Sequence, residues 1–286
     1  MKKKPEHQLN FFMVDAFASL LKNHHIHIDC PIFVLKAGNV ALRRYKDEHA
    51  LIVVEPGEYG SATIYDKDLL IYCISKQVEA MRIYGVDIDQ TIQFKAHDFL
   101  VTTNRRTDGD NYKRLIEALH RLKDTTIEVY INDEGYQKSF SFDLIASWCI
   151  LEKSDKKRRM EAIEITLPDI IHEAILAKKL LAFHADYFKL RKPLERHLYT
   201  LARKYCATQV KWSIDLESLY QKTGTTATIH EFRRLIRSTA KLNNLPEYQL
   251  RYETGTDIVH FYKQGARGYK AQIRDMVNQL NKKRTL

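Results

Sequence analysis

One pattern occurs twice along the chain and constrains its fold more than any other feature. Residues 94–142 and 212–262 each run through strand, short helix, turn, second helix and two-strand ribbon. In the first copy, Ile92 and Phe94 open a strand, and residues 96–103 form a helix with Phe99 and Leu100 inward. A polar turn over residues 104–110, with Gly109, leads to a helix over 111–123. That helix aligns Tyr112, Leu115, Ile116, Leu119 and Leu122 on one face and Asn111, Arg114, Ala118 and Arg121 on the other, with Lys113 at the edge. Strands over 125–130 and 136–142 then pair across Asn132, Asp133, Glu134 and Gly135.

In the second copy, Val210, Trp212 and Ile214 alternate, Asp215 caps a helix ending near Thr223, and Gly224, Thr225 and Thr226 make the turn. The next helix, residues 228–242, turns Phe232, Leu235, Ile236 and Thr239 inward and His230, Arg233, Arg234, Arg237 and Lys241 outward. Strands over 248–252 and 258–262 pair across residues 253–256.

Both copies read as winged helix-turn-helix units, so the expected fold class is α+β, with two tandem winged domains behind an N-terminal helical and strand extension. A helix fits the major groove of duplex DNA, where arginine pairs with a guanine edge and asparagine with an adenine edge. Lysine, arginine and backbone amides bind the phosphates and set the register. The expected DNA-binding residues are therefore His230, Arg233, Arg234, Arg237 and Lys241 in the second copy. In the first they are Asn111, Lys113, Arg114 and Arg121, with Arg105 and Arg106 in the turn before them. Glu117 and Asp110 dilute the charge of the first helix, which makes the second the stronger candidate reader. The net charge of +10, from 46 basic and 36 acidic residues, agrees with a polyanionic partner.

At 286 residues the chain has room for about two domains. The apolar spacing of Leu9, Phe12, Met13, Ala16, Phe17, Leu20 and Leu21 reads as one face of an N-terminal helix. Residues 31–35 and 50–54 read as strands, and Asp66 and Asp68 open a helix that ends before Gly85. Lys153, Lys156, Lys157, Arg158 and Arg159 form a basic run that reads as a solvated junction. The expected division is 1–152 for the N-terminal winged domain, 153–160 for the junction, 161–265 for the C-terminal winged domain and 266–286 for a basic tail. Within the second part, Pro168 opens a helix, and a longer one over 186–206 either kinks or breaks at Pro193.

The residues also resemble a known family. Residues 65–72 (YDKDLLIY), 94–105 (FKAHDFLVTTNR), 112–128 (YKRLIEALHRLKDTTIE) and 139–150 (SFSFDLIASWCI) are similar, in order, to the plasmid replication initiator protein A family. The resemblance implies a protein that binds repeated sites (iterons) in origin DNA and promotes origin opening. It further implies recruitment of host replication initiation proteins and helicase, and a homodimer–monomer equilibrium in which the dimer represses its own gene. A winged-helix transcription regulator without a role in initiation is the alternative within the binding class.

Catalytic, metal and cofactor sites are not expected. The four cysteines, Cys30, Cys73, Cys149 and Cys206, are far apart and form no CxxC pair. No GxxxxGK[ST] phosphate loop occurs. His25 and His27, on one face of a strand, would suit a metal-dependent rolling-circle nickase with Tyr65 or Tyr72 as nucleophile. His24 instead makes the segment a histidine-rich turn after a helix, and no further ligand accompanies it. Asp87 and Asp89, like Asp108 and Asp110, sit in turns where aspartate bonds the backbone. No run approaches the ~20 apolar residues that span a bilayer, and a cytoplasmic protein is expected.

Overall fold

The computed structural model describes residues 10–14, 30–46, 48–85, 88–133, 136–152 and 160–284. His24, His25 and His27 lie outside the described residues. Contacts divide the chain into two units of mixed helix and sheet, Met1–Phe188 and Lys189–Leu286.

The first unit contains β1 (Phe11–Val14), β2 (Arg43–Lys46), β3 (Ala50–Glu55), α1 (Lys67–Tyr84), β4 (Thr91–Phe94), α2 (Ala96–Thr102) and α3 (Gly109–Asp124). It continues through β5 (Thr126–Asp133), β6 (Tyr136–Asp143), β7 (Ser147–Glu152), β8 (Met160–Thr166), α4 (Asp169–Leu176) and β9 (Leu180–Phe183). Its sheets are antiparallel, with strand orders β2-β3-β5-β6, β4-β8-β7 and β1-β9. The core gathers Leu69, Tyr72, Cys73 and Ile74 from α1, Phe99 and Leu100 from α2, and Leu115, Leu119 and Leu122 from α3. Ile52, Val129, Ile163 and Ile165 close it from the sheets. Helix α1 stops at Gly85, whose φ of 87° is in the left-handed region where glycine is free of the Cβ clash.

The second unit contains α5 (Pro193–Tyr205), β10 (Lys211–Asp215), α6 (Leu216–Thr223), α7 (Ile229–Leu242), β11 (Tyr248–Glu253), β12 (Ile258–Lys263) and α8 (Ala266–Arg284). Its antiparallel sheet has the order β10-β12-β11. Ile214, Leu250, Val259 and Phe261 turn one face of that sheet into the core beside Leu216, Leu219, Phe232 and Ile236. Trp212 stacks between Tyr205 and Phe261, with ring centroids 4.4 and 5.0 Å away. His260 and Tyr262 point to the opposite face and are also buried, because α8 folds back along β12.

Several expectations are corrected. Phe12 and Met13 lie in strand β1, paired to β9, rather than on a helix, and Phe11 packs edge-on against Phe188 at 4.7 Å. Of the expected strand at 31–35, only an isolated bridge between Val34 and Thr63 forms. The long helix expected over 186–206 is a 3-10 turn, Ala185–Lys189, followed by α5. Pro193 occupies the first turn of α5, where its missing N–H costs no hydrogen bond.

The largest correction concerns the repeat itself. In the second unit the strand before the two helices pairs with the last strand of the ribbon that follows them. In the first, β4 pairs with β8, not with the β5–β6 ribbon directly after α3. The counterpart of β11–β12 is thus β7–β8, and β5–β6 is an added hairpin that extends β2–β3 into a four-stranded sheet. Residues 153–159 of the expected junction, 153–160, lie outside the described residues. The chain divides at Phe188/Lys189 instead, because β8 supplies Ile163 and Ile165 to the first unit's core.

Candidate nucleic-acid interface

In the second unit, local chemistry fixes helix α7 at both ends. Asp215 caps α6 by accepting from the Ser218 amide at 2.8 Å, and Gly224 ends that helix in the left-handed conformation. The Tyr220 hydroxyl donates to the Ala227 carbonyl at 2.8 Å and fastens the turn between the helices. Thr228 then caps α7 by accepting from the Glu231 amide at 3.3 Å. At the far end Asn243, with φ 49°, terminates the helix and accepts from the Leu250 amide at 2.8 Å. Phe232, Ile236 and Thr239 are buried beneath it.

This anchoring leaves His230, Arg234, Arg237, Ser238 and Lys241 exposed on one outward face. Its arginines are ordered by neighbours. Arg234 donates from Nε and Nη2 to Glu231 at 2.8 and 2.5 Å, an exposed i, i+3 pair that holds the Glu231 carboxyl below its ordinary range. The Arg237 guanidinium lies 5.4 Å from the Tyr252 ring centroid. Arg233 is only partly exposed and turns toward the ribbon, donating from Nη2 and Nε to the Asp257 carboxylate at 2.7 and 3.2 Å. The Tyr252 hydroxyl donates to the same carboxylate. Arg233 first, and Tyr252 second, hold the Asp257 carboxyl below its usual value. Arg233 thus ties the helix to the turn between β11 and β12. The sequence reading missed Asp257 and Tyr252; an aspartate closing a glycine-containing turn was the available signal.

In the first unit, α3 presents Lys113 and Arg114 to solvent. Asn111 is held by Asp108, which accepts from its backbone amide at 3.0 Å and from its side-chain amide at 2.6 Å. Arg106 is 90% exposed and lies 3.5 Å from Asp108. Arg105 and Arg121, expected on the DNA-facing side, instead turn into the fold. Arg105 donates to the Tyr65 carbonyl and the buried Asp68 carboxylate, both at 2.7 Å. Arg121 donates to the buried Asp66. The reason is electrostatic: two carboxylates are buried at the start of α1, and each needs a cationic donor. Ala118, expected outward, is also buried.

The outward basic helix therefore has a clean counterpart only partly: α7 keeps four of its five expected side chains exposed, while α3 keeps Lys113 and Arg114. Among the described residues, no three His, Cys, Asp or Glu side chains gather as metal donors, and no helix is long and apolar enough to cross a membrane. Asp108 caps α3, and Asp89 accepts from the Thr91 amide, as turn aspartates do.

The family model for replication initiator protein A matches residues 22–250. A protein described as a putative replication protein, from Wigglesworthia glossinidia brevipalpis, is 37% identical over 264 residues, covering 92% of this chain and 96% of its own. A crystal structure of RctB domains 2-3 is similar with a TM-score of 0.59 at 17% identity, covering 82% of this chain and 96% of that one. A selenomethionine-derivative structure of RctB domains 2 and 3 gives 0.62 at 15% identity, covering 81% and 93%.

Proposed function

Because this chain belongs to the replication initiator protein A family, we propose that it initiates replication by binding repeated sites in plasmid-type origin DNA, as a non-enzymatic binding protein. In this reading each unit is a winged helix-turn-helix, with α7 and α3 as the helices that approach the duplex. The observation that carries it is the ordered outward face of α7, where Arg234 and Arg237 stand exposed between His230 and Lys241 on a helix anchored at both ends. Arg234, with Nε and two terminal amino groups in one plane, has the geometry for a guanine edge; its partner Glu231 is an exposed carboxylate that a phosphate-rich surface would displace. Lys113, Arg114 and Arg106 fit phosphate contacts from the first unit. Opening of the origin, docking of host replication proteins and helicase, and a repressing dimer in equilibrium with a monomer belong to the same proposal.

Footprinting on the DNA that flanks the gene tests it. Protection of direct repeats is expected, with binding that weakens steeply as salt rises. Arg234→Ala or Arg237→Ala is expected to cost ~1–3 kcal/mol of binding where the side chain reads a base. Unchanged footprints in both variants would remove α7 as the reader.

A further inference from the structure

Helix α8 carries a surface that neither its own sheet nor the proposed DNA contact uses. Its beginning is pressed onto the end of β12: a Cβ on Gly268 would lie 1.7 Å from the Lys263 carbonyl oxygen. Further along, Asp275 accepts from Lys211 Nζ at 2.6 Å and from the Tyr262 hydroxyl at 2.7 Å. At 3.6 residues per turn, Gly268, Ala271, Gln272 and Asp275 share this inner side. About a third of a turn away run Tyr269, Ile273, Met276 and Val277, all between 43% and 62% exposed. Beyond them Arg267, Lys270 and Arg274 are also exposed. Asp275, already bound, is the one acidic residue in the helix sequence, against six basic residues.

We propose that this ridge is a docking site for an acidic protein whose apolar groove receives Tyr269, Ile273, Met276 and Val277. The charge selects the occupant. A second copy of the chain would bring the same positive flank against it. Duplex DNA satisfies the basic residues and leaves the four apolar ones in water. A membrane surface takes up amphipathic helices that lie free in the interface, whereas α8 has one side committed to β12. A helix laid into a groove uses anchors at i, i+4 and i+7, the spacing of Tyr269, Ile273 and Met276. The positive flank then steers an acidic partner onto it and makes the association salt-dependent. The proposal does not depend on the DNA reading.

The test uses the full chain. A photoreactive Val277→p-benzoylphenylalanine variant is irradiated in cells that carry the gene, and the cross-linked species is identified and purified. Its affinity is then measured for the wild-type chain, for Ile273→Ser/Met276→Ser and for Arg267→Glu/Lys270→Glu/Arg274→Glu. The expected result is an acidic protein whose affinity falls at least about tenfold in each multiple variant. Circular dichroism is expected to match the wild type in both, and origin-DNA affinity to match it in Ile273→Ser/Met276→Ser, which separates this surface from the α7 interface. A cross-link only to another copy, to DNA or to lipid would overturn the proposal. So would no cross-link, or a captured protein that binds both variants as tightly as the wild type.

Discussion

Arg121 donates from Nε and Nη2 to both carboxylate oxygens of Asp66, at 2.8 and 2.9 Å, and so fastens the last turn of α3 to the start of α1. Both side chains are largely out of solvent, at 13% and 4% exposure. Asp66 also accepts from the Thr63 amide at 2.8 Å. Arg121→Ala would leave that carboxylate buried without its cation, which costs ~3–5 kcal/mol. Urea denaturation is expected to show a loss in this range. Arg121→Lys should recover only part of it, because an ammonium does not reproduce the two-pronged geometry. A midpoint unchanged in Arg121→Ala, with weaker DNA binding, would return Arg121 to the interface.

The neighbouring pair Arg105 and Arg106 separates structure from binding within two positions of the chain. Arg105 is committed to Asp68 and the Tyr65 carbonyl, whereas Arg106 is almost fully exposed. Arg106→Ala should leave stability within ~0.5 kcal/mol of the wild type. If Arg106 contacts a phosphate, the same change reduces the slope of log K against log salt by about one. Arg105→Ala should lower the denaturation midpoint first. Paired titrations of both variants, by denaturant and by salt, distinguish the two roles.

These arginines also show where a sequence stops being legible. The apolar stripe of α3 was readable because Leu115, Leu119 and Leu122 repeat at helical spacing, and all three are buried. The opposite face was not, because a guanidinium bound to a buried carboxylate leaves the same trace in sequence as one in water. Ala118 gave no signal either, since a small side chain fits inside or outside. Strand pairing was hidden for a different reason. Alternation marks β5 and β6 as strands, but nothing local says that β4 chooses β8 across an added hairpin. The second unit was easier to read, because β11 and β12 follow α7 with no insertion and a four-residue turn sequence joins them.

His260 predicts a pH dependence. Its Nδ1 lies 2.8 Å from the Ser213 hydroxyl and its Nε2 3.3 Å from a Glu253 carboxylate oxygen, within the sheet that α8 covers. Burial lowers its pKa below the ordinary 6.5 more strongly than Glu253 raises it. As pH falls, the unfolded chain therefore takes up this proton before the folded one does. The contribution is fully present above about 6.5 and is lost as pH falls through the lower folded value. His260→Gln keeps hydrogen-bonding capacity without that proton uptake. Its stability profile, measured by denaturation across this range, should be flatter than that of the wild type on the acid side; parallel profiles would rule His260 out as a source of acid sensitivity.

Asp257 offers the sharpest test of how the second interface is ordered. It sits at φ 53°, a conformation that asparagine also adopts readily, so Asp257→Asn preserves the turn while removing its charge. Because the Arg233–Asp257 pair is partly exposed, the stability cost should stay within ~1 kcal/mol. The effect on binding should be larger in kind. If the proposed DNA contact holds, loss of the carboxylate frees Arg233 to reach a phosphate, and the salt dependence should steepen by about one phosphate contact. Discrimination between the cognate repeat and unrelated duplex should shrink, since phosphate contacts carry no sequence information. Arg233→Ala combined with Asp257→Asn removes the released charge, and its salt slope should return to the wild-type value. If Asp257→Asn leaves both slope and discrimination unchanged, the clasp between α7 and its ribbon has no part in ordering the interface.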